Sequence, residues 1–367
     1  EQFRKFGYIA ASYGKIYDSR LGTDNELSWD VQMDELAGYA VNENRANNVA
    51  FEGPEVPDEA YRDGINTNLA LDFLLNHDPA KPFFLAVGFA KPHLPFNAPK
   101  KYWDRIDPNA IPLPTGGLPT GLSEQTLSRP YKELETYTDP QTFDPIVQPT
   151  EEPLTRQLIH GYLACISYVD AQIGKLIDEL KARDLYENTL IVIWGDHGFK
   201  LADFEEWAKA TTLEIDSRVP LIIRPHSGFS ASRDSHCYSM VELVDLMPTV
   251  CELAGLPIPI TAQGRSLLPT LKDPNQSVRQ TALNQYKRSG MSLSVRSEQW
   301  RYTEFRSNSG ELLESQLFDL QTTSTAETNN VIAQEAETAN ELARLIFDYS
   351  GSGAQAPSGL LLHFGND

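Results

Sequence analysis

The stretch Pro82-Phe83-Phe84-Leu85-Ala86-Val87-Gly88-Phe89-Ala90-Lys91-Pro92-His93-Leu94-Pro95-Phe96 decides the fold. Phe83–Phe89 carries no polar side chain, so neither of its faces suits water. That pattern predicts a strand buried on both sides, as in parallel sheets covered by helices. Pro92 and Pro95 stop it, since proline cannot donate to a strand ladder. Upstream, Asn66–Asn76 (NTNLALDFLLN) reads as a helix. Downstream, Asn188–Trp194 and Val219–Ile223 read as two further buried strands. Between them, Leu158, Ile159, Tyr162, Leu163, Ile166, Val169, Ile173, Leu176, Ile177 and Leu180 hold helical spacing, predicting a helix over Pro153–Arg183. Ser239 is placed to N-cap a helix over Met240–Leu253, closed by Gly255 and Pro257. Strands alternating with helices imply an α/β fold, with a mostly parallel central sheet flanked by helices.

The texture changes after about residue 270. Met291–Arg296 and Arg301–Phe305 read as short, half-exposed strands, and Asn330–Tyr349 as a last helix. The expected division is therefore 1–270 as the main domain and 271–367 as a smaller antiparallel-sheet-plus-helix (α+β) subdomain. Residues 104–153, rich in Pro, Gly, Thr and Asp, read as a long surface excursion. The Gly/Ser-rich tail from Ser350 reads as loose, with Leu360–Phe364 able to dock.

The chain has 367 residues, 31 Lys+Arg and 51 Asp+Glu, a net charge of −20. Nucleic acid is not an expected partner, because its binders present a basic face. A local basic pocket in an acidic surface still suits a small anion. No apolar run approaches the ~20 residues of a membrane helix, and no signal peptide is visible. The first residue is Glu1 rather than Met, which reads as a processed or trimmed end. Cys165, Cys237 and Cys251 are too few and scattered for a disulfide framework and read as buried apolar thiols.

Two predicted strands end in residues of catalytic type: Phe83–Phe89 in Lys91 and His93, and Thr189–Trp194 in Asp196 and His197. In open α/β sheets ligands bind outside the carboxyl ends of strands. An Asp-His pair flanked by Gly195 and Gly198 can offer a carboxylate and an imidazole to one cation. The same triplet also arises from a capping Asp and a hydrogen-bonded His. Gly14-Lys15 and Lys209 add two ammonium groups, although most lysines are simply solvated. Together these are parts for handling a tetrahedral oxyanion: point charges on its oxygens, a metal, and a histidine to protonate a leaving oxygen.

The order of Gly14-Lys15, Pro82–Phe96, Asp196-His197-Gly198-Phe199 and Glu206-Trp207-Ala208-Lys209 resembles the sulfatases of the alkaline-phosphatase superfamily, nearest the iduronate-2-sulfatase group and its bacterial relatives. Val219–Ile222, Val241–Thr249, Gln285-Tyr286, Ser294–Arg296, Trp300–Thr303 and Leu317–Leu320 look like later parts of the same family, so the likeness spans nearly the whole chain. It implies hydrolysis of a sulfate ester on a sulfated carbohydrate. Lys15 and Lys209 would hold sulfate oxygens, and His93 would protonate the departing alcohol. Lys91 and Phe199 would meet substrate. Asp196 and His197 would ligate Ca²⁺, with Mg²⁺ the lesser candidate. The setting implied is secreted, periplasmic or lysosomal.

The family's nucleophile is a formylglycine made from a Cys or Ser in a Cys/Ser-x-Pro/Ala-x-Arg signature. No cysteine here lies in one; Ser128-Arg129-Pro130-Tyr131-Lys132 comes nearest but ends in Lys. The paired aspartates that precede it are not found either. The expected partner is therefore an N-terminal chain or segment of the same protein carrying both. Two smaller departures touch the substrate contacts. Tyr17 or Asp18 stands where the family often has His, and Leu201-Ala202-Asp203-Phe204 replaces a more usual Gly-Glu-His. The alternatives are a non-catalytic relative that binds sulfated glycans, and a phosphatase or phosphodiesterase of the same superfamily.

Overall fold

The computed structural model describes residues 1–17, 25–33, 48–114, 117–127, 133–142, 146, 152–232, 234–287, 290–321 and 327–351. Asp18, the 128–132 stretch and the tail beyond residue 351 lie outside these. Two compact units are present: Glu1–Leu113 with Leu134–Thr189, and Pro114–Glu133 with Leu190–Asp367.

The first unit runs α1 (Gln2–Lys5), β1 (Ile9–Gly14), α2 (Asn25–Ser28), β2 (Val31–Met33), β3 (Phe51–Glu52), α3 (Arg62–Asn76), β4 (Phe83–Gly88), β5 (Phe96–Asn97), α4 (Lys100–Trp103) and α5 (Glu152–Ala182). Its main sheet has the order β2-β1-β4, parallel throughout. Ile9 pairs with Phe83 and the register continues unbroken to Gly14 opposite Gly88. One face packs against the helices: Ala11 and Tyr13 meet Ala70, with Leu69, Phe73, Leu85, Val87 and Leu176 around them. On the other, Phe84 stacks between Phe3, at 4.4 Å between ring centroids, and Trp29, at 5.7 Å. Helix α3 starts four residues before the predicted Asn66 and α5 falls within one residue of its predicted ends. Strand β4 departs from its reading: it is half-buried along its length, because among the described residues it pairs on one side only.

Asp58 ties this unit together. Its carboxylate accepts from Tyr102 Oη at 2.9 Å, Gln172 Nε2 at 3.2 Å, Lys101 Nζ at 2.7 Å and Lys175 Nζ at 2.7 Å. Burial alone would raise its pKa, but these donors outweigh burial and hold it below the usual carboxylate range.

The second unit runs β6 (Ile191–Trp194), α6 (Glu214–Ser217), β7 (Leu221–Arg224), α7 (Leu246–Leu253), α8 (Leu268–Lys272), β8 (Ala282–Lys287), β9 (Gly290–Arg296), β10 (Trp300–Ser307), β11 (Leu312–Asp319) and α9 (Ala336–Gly351). Here two readings are corrected. Strands β6 and β7 are neither parallel nor fully buried: they pair antiparallel, Ile191 with Arg224 through Trp194 with Leu221, and Trp194 is 51% exposed. An all-apolar run marks a strand, but its direction is set by the partner it meets. The helix read over Met240–Leu253 begins later, at Leu246, after a 3₁₀ turn over Leu243–Asp245. The start of that 3₁₀ turn is set by a capping box in which Glu242 and Asp245 each satisfy the other's backbone N–H. Ser239 does not cap it; its hydroxyl donates to Gln276 O.

The C-terminal sheet has the order β11-β10-β9-β8, antiparallel, with α9 laid against it. Val295, Tyr302, Leu317, Ala339, Leu342 and Ile346 form its core. Beside that core lies a buried charge network. Arg301 meets Glu214 through Nη2 and Glu327 through Nε at 3.1 Å, and Arg296 Nε meets Glu214 at 2.7 Å. The 104–153 excursion is more than surface: Ile111, Leu127, Leu134 and Ile146 are buried. Cys165 and Cys251 are buried as expected, whereas Cys237 is exposed.

Asp58 has a depressed pKa when folded, so its contribution is present above the unfolded value of about 3.9 and lost as pH falls through the folded one. Asp58→Asn is expected to cost about 1–3 kcal/mol at neutral pH. The difference from wild type should shrink below about pH 4. Urea melts at pH 7 and pH 3 check this; an equal loss at both would contradict it.

Candidate functional site

Lys15, Lys91 and His93 belong to the first unit, and Asp196, His197, Phe199 and Lys209 to the second. Because β1 and β4 run parallel and in register, both release their next residues at the same sheet edge. Gly14 ends β1 at φ +83°, and a Cβ there would sit 2.2 Å from Gly88 O and 2.6 Å from Asn66 Nδ2. Only glycine fits that approach. Lys15 N then donates to Gly88 O at 3.0 Å. So the structure brings half-buried Lys15 to the edge from which the His93 loop departs.

That loop is tightly tied. His93 N donates to Ala90 O at 3.0 Å. The His93 ring Nδ1 lies 2.8 Å from Leu94 O. A carbonyl only accepts, so Nδ1 carries the hydrogen and Nε2 is the position that gains or gives up a proton. Lys91 is 6% exposed, and its ammonium donates to His93 O at 3.2 Å and Pro95 O at 2.6 Å.

In the second unit, β6 ends at Trp194 and Asp196 and His197 follow it. Asp196 Oδ2 lies 3.7 Å from His197 Nε2, while Nδ1 lies 2.8 Å from Gly198 O. The same tautomer argument leaves His197 Nε2 beside the exposed carboxylate. That is a workable pair of ligands for one divalent cation. Among the described residues no group of three or more His, Cys, Asp or Glu is placed to hold a metal ion. Gly198 is again a close approach: a Cβ would lie 1.9 Å from Ile215 O. Its N–H donates to Asp216 O at 2.8 Å.

Three acidic partners went unread in the sequence. Lys209, 5% exposed, has its Nζ 3.2 Å from Glu133 Oε2, and Glu133 is 3% exposed. Lys200, wholly buried, donates to Asp216 Oδ2 at 2.6 Å and lies 3.6 Å from Glu206 Oε2. Lys200 N also donates to Ala208 O, and Ala202 N to Glu206 O, folding 200–208 back on itself so that Phe199 and Lys209 end its two arms. The turn of that fold puts Ala202, Phe204 and Glu205 in the left-handed region, at φ 70°, 55° and 58°. This is the segment that departs from the usual Gly-Glu-His. A pairing 76 residues apart leaves no periodic signal, which is why Glu133 was missed.

The comparisons fit this geometry. A family model described as Sulfatase matches residues 1–256, and the chain belongs to that family. A model described as N-sulphoglucosamine sulphohydrolase, C-terminal, matches residues 203–347. The iduronate 2-sulfatase of Mus musculus is 28% identical over 300 residues, covering 71% of this chain and 54% of that protein. The chain thus spans about half the length of the relatives it matches. A structure solved in complex with its substrate, D-glucosamine-2-N,6-O-disulfate, superposes with a TM-score of 0.74 at 20% identity, covering 95% of this chain and 81% of that one. A phosphonate monoester hydrolase from Silicibacter pomeroyi gives 0.71 at 25% identity, covering 96% and 78%. The fold is that of the alkaline-phosphatase and sulfatase group, as the sequence implied.

The Lys209–Glu133 pair is buried enough to be worth measuring. A double-mutant cycle with Lys209→Met and Glu133→Gln should give a coupling above about 1 kcal/mol in urea denaturation. Strictly additive effects would show that solvent screens the pair.

Proposed function

We propose that this chain is part of a sulfuric ester hydrolase that removes sulfate from a sulfated sugar or polysaccharide. The observation that carries the reading is the shared edge of β1 and β4, which delivers Lys15 and the His93 loop together in a chain of the sulfatase family. Lys15 and Lys209 act as point charges on sulfate oxygens. His93 gives the proton on Nε2 to the leaving alcohol oxygen, with Nδ1 steadied on Leu94 O. Phe199 lines the substrate side. Asp196 and His197 would hold a divalent cation, Ca²⁺ before Mg²⁺. A formylglycine on an N-terminal segment of the same protein would supply the attacking oxygen, and the cation would neutralise charge on the ester. Support for such a segment comes from β4, whose second edge has no strand partner among the described residues although all six of its residues are apolar. A secreted, periplasmic or lysosomal setting goes with this reading. No described helix is long and apolar enough to cross a membrane.

A second reading, hydrolysis of a phosphorus ester, is favoured by the phosphonate monoester hydrolase among the structural neighbours. Turnover of aryl sulfate, aryl phosphate and aryl phosphonate by the natural protein separates the two. The sulfate ester is expected to be cleaved fastest, with activity falling more than about tenfold after exhaustive chelation and returning with Ca²⁺. Faster phosphonate cleavage would favour the second reading. Glycan binding with no turnover of any ester would favour a non-catalytic relative. Full activity after chelation would remove Asp196 and His197 from the metal role.

A further inference from the structure

The His93 loop is built around an ammonium group. Asp63, wholly buried on α3, accepts Ala90 N at 2.8 Å on one carboxylate oxygen and Lys91 N at 2.9 Å on the other. The Lys91 side chain then turns back under the loop and donates to the carbonyls of His93 and Pro95. Those two carbonyls flank Leu94, whose own carbonyl holds the His93 ring. Fixing the peptides on either side of Leu94 fixes the acceptor that sets the ring's tautomer and direction.

We infer that Lys91 and Asp63 are positioning residues for His93, and that Lys91 does not touch the substrate. This rests on the reading of His93 as the proton donor. The Lys91 ammonium spends two donors on carbonyls of its own loop, and these aim it into that loop. The charged and titratable groups facing it are Asp63 and Arg62 on α3, Glu52 on β3 and Cys165 on α5. Burial pushes the Cys165 thiol up to about 12, so it stays neutral, and burial lowers the pKa of Lys91 itself. Asp63 and Glu52 work against that lowering, and the clamp rests on the two hydrogen bonds to carbonyls.

The test uses Lys91→Met, which keeps the length and loses the donors, and Lys91→Arg, which keeps donors. Long-range ¹H–¹⁵N spectra of the His93 ring read its tautomer and titration midpoint. A series of aryl sulfates reads the rate. In Lys91→Met the Nδ1–H signature should weaken and the midpoint move. Its kcat should fall about 10–100-fold for poor leaving groups and much less for good ones, with KM within about twofold. Lys91→Arg should recover most of this. An unchanged His93 ring in Lys91→Met overturns the inference. So does a raised KM with unchanged kcat across the series, which marks Lys91 as a substrate ligand. If Lys91→Met does not fold, Asp63→Asn carries the same test, with an altered ring expected and an unaltered one overturning. The ring spectra need no turnover. A wild type inactive on every ester would therefore count against the proposed function alone, while the ring still decides the positioning role.

Discussion

The parallel pairing of β1 with β4 is the constraint on which the site in the first unit depends. Six register pairs run from Ile9–Phe83 to Gly14–Gly88, and both strands finish at one edge. Reverse either strand and Lys15 and His93 would leave at opposite ends. The two glycines let the strand ends approach so closely that Lys15 N bonds to Gly88 O. The packing of Ala11, Tyr13, Leu85 and Val87 against α3 then holds the pair in place. Fully burying a valine- or leucine-sized side chain is worth about 1.5–3 kcal/mol, against about 1 kcal/mol net for a typical hydrogen bond. The apolar core therefore sets the positions, and the polar loop groups refine them.

Charge is managed in the same way throughout. A net charge of −20 works against an anionic ester at long range. Yet Lys91, Lys200 and Lys209 are all enclosed, each held by carbonyls or by one or two carboxylates. A buried ammonium with satisfied donors is fixed in direction, whereas a surface lysine swings through solvent. Lys15 is half-buried and Asp196 exposed.

Much of this was legible in the sequence, for physical reasons that can be named. Residues 83–89 announce a strand because they form a short unbroken apolar run between prolines, and 153–183 a helix because the apolar residues recur at helical spacing. Gly14-Lys15, Lys91–His93 and Asp196-His197 could be placed at strand ends because glycine and proline mark where strands stop. Strand direction was not legible: β6 and β7 look like β4 in composition but pair antiparallel, since apolar content reports burial and not the partner. Nor was the inward turn of Lys91. Its neighbours in sequence are prolines and a histidine, and the carboxylate beneath it, Asp63, lies 28 residues away. Glu133 was hidden in the same way, inside a segment that read as surface loop although Leu127 and Leu134 are buried.

The central claim, that His93 protonates the oxygen leaving a sulfate ester, is tested most directly by leaving-group dependence. Rates of the natural protein and of His93→Ala should be compared across aryl sulfates whose phenols span several pKa values. The account predicts a shallow slope for wild type and a steep one for His93→Ala, with losses of about 10²–10⁴-fold on the poorest leaving groups and little on the best. Parallel lines, with the same loss for every ester, would contradict it.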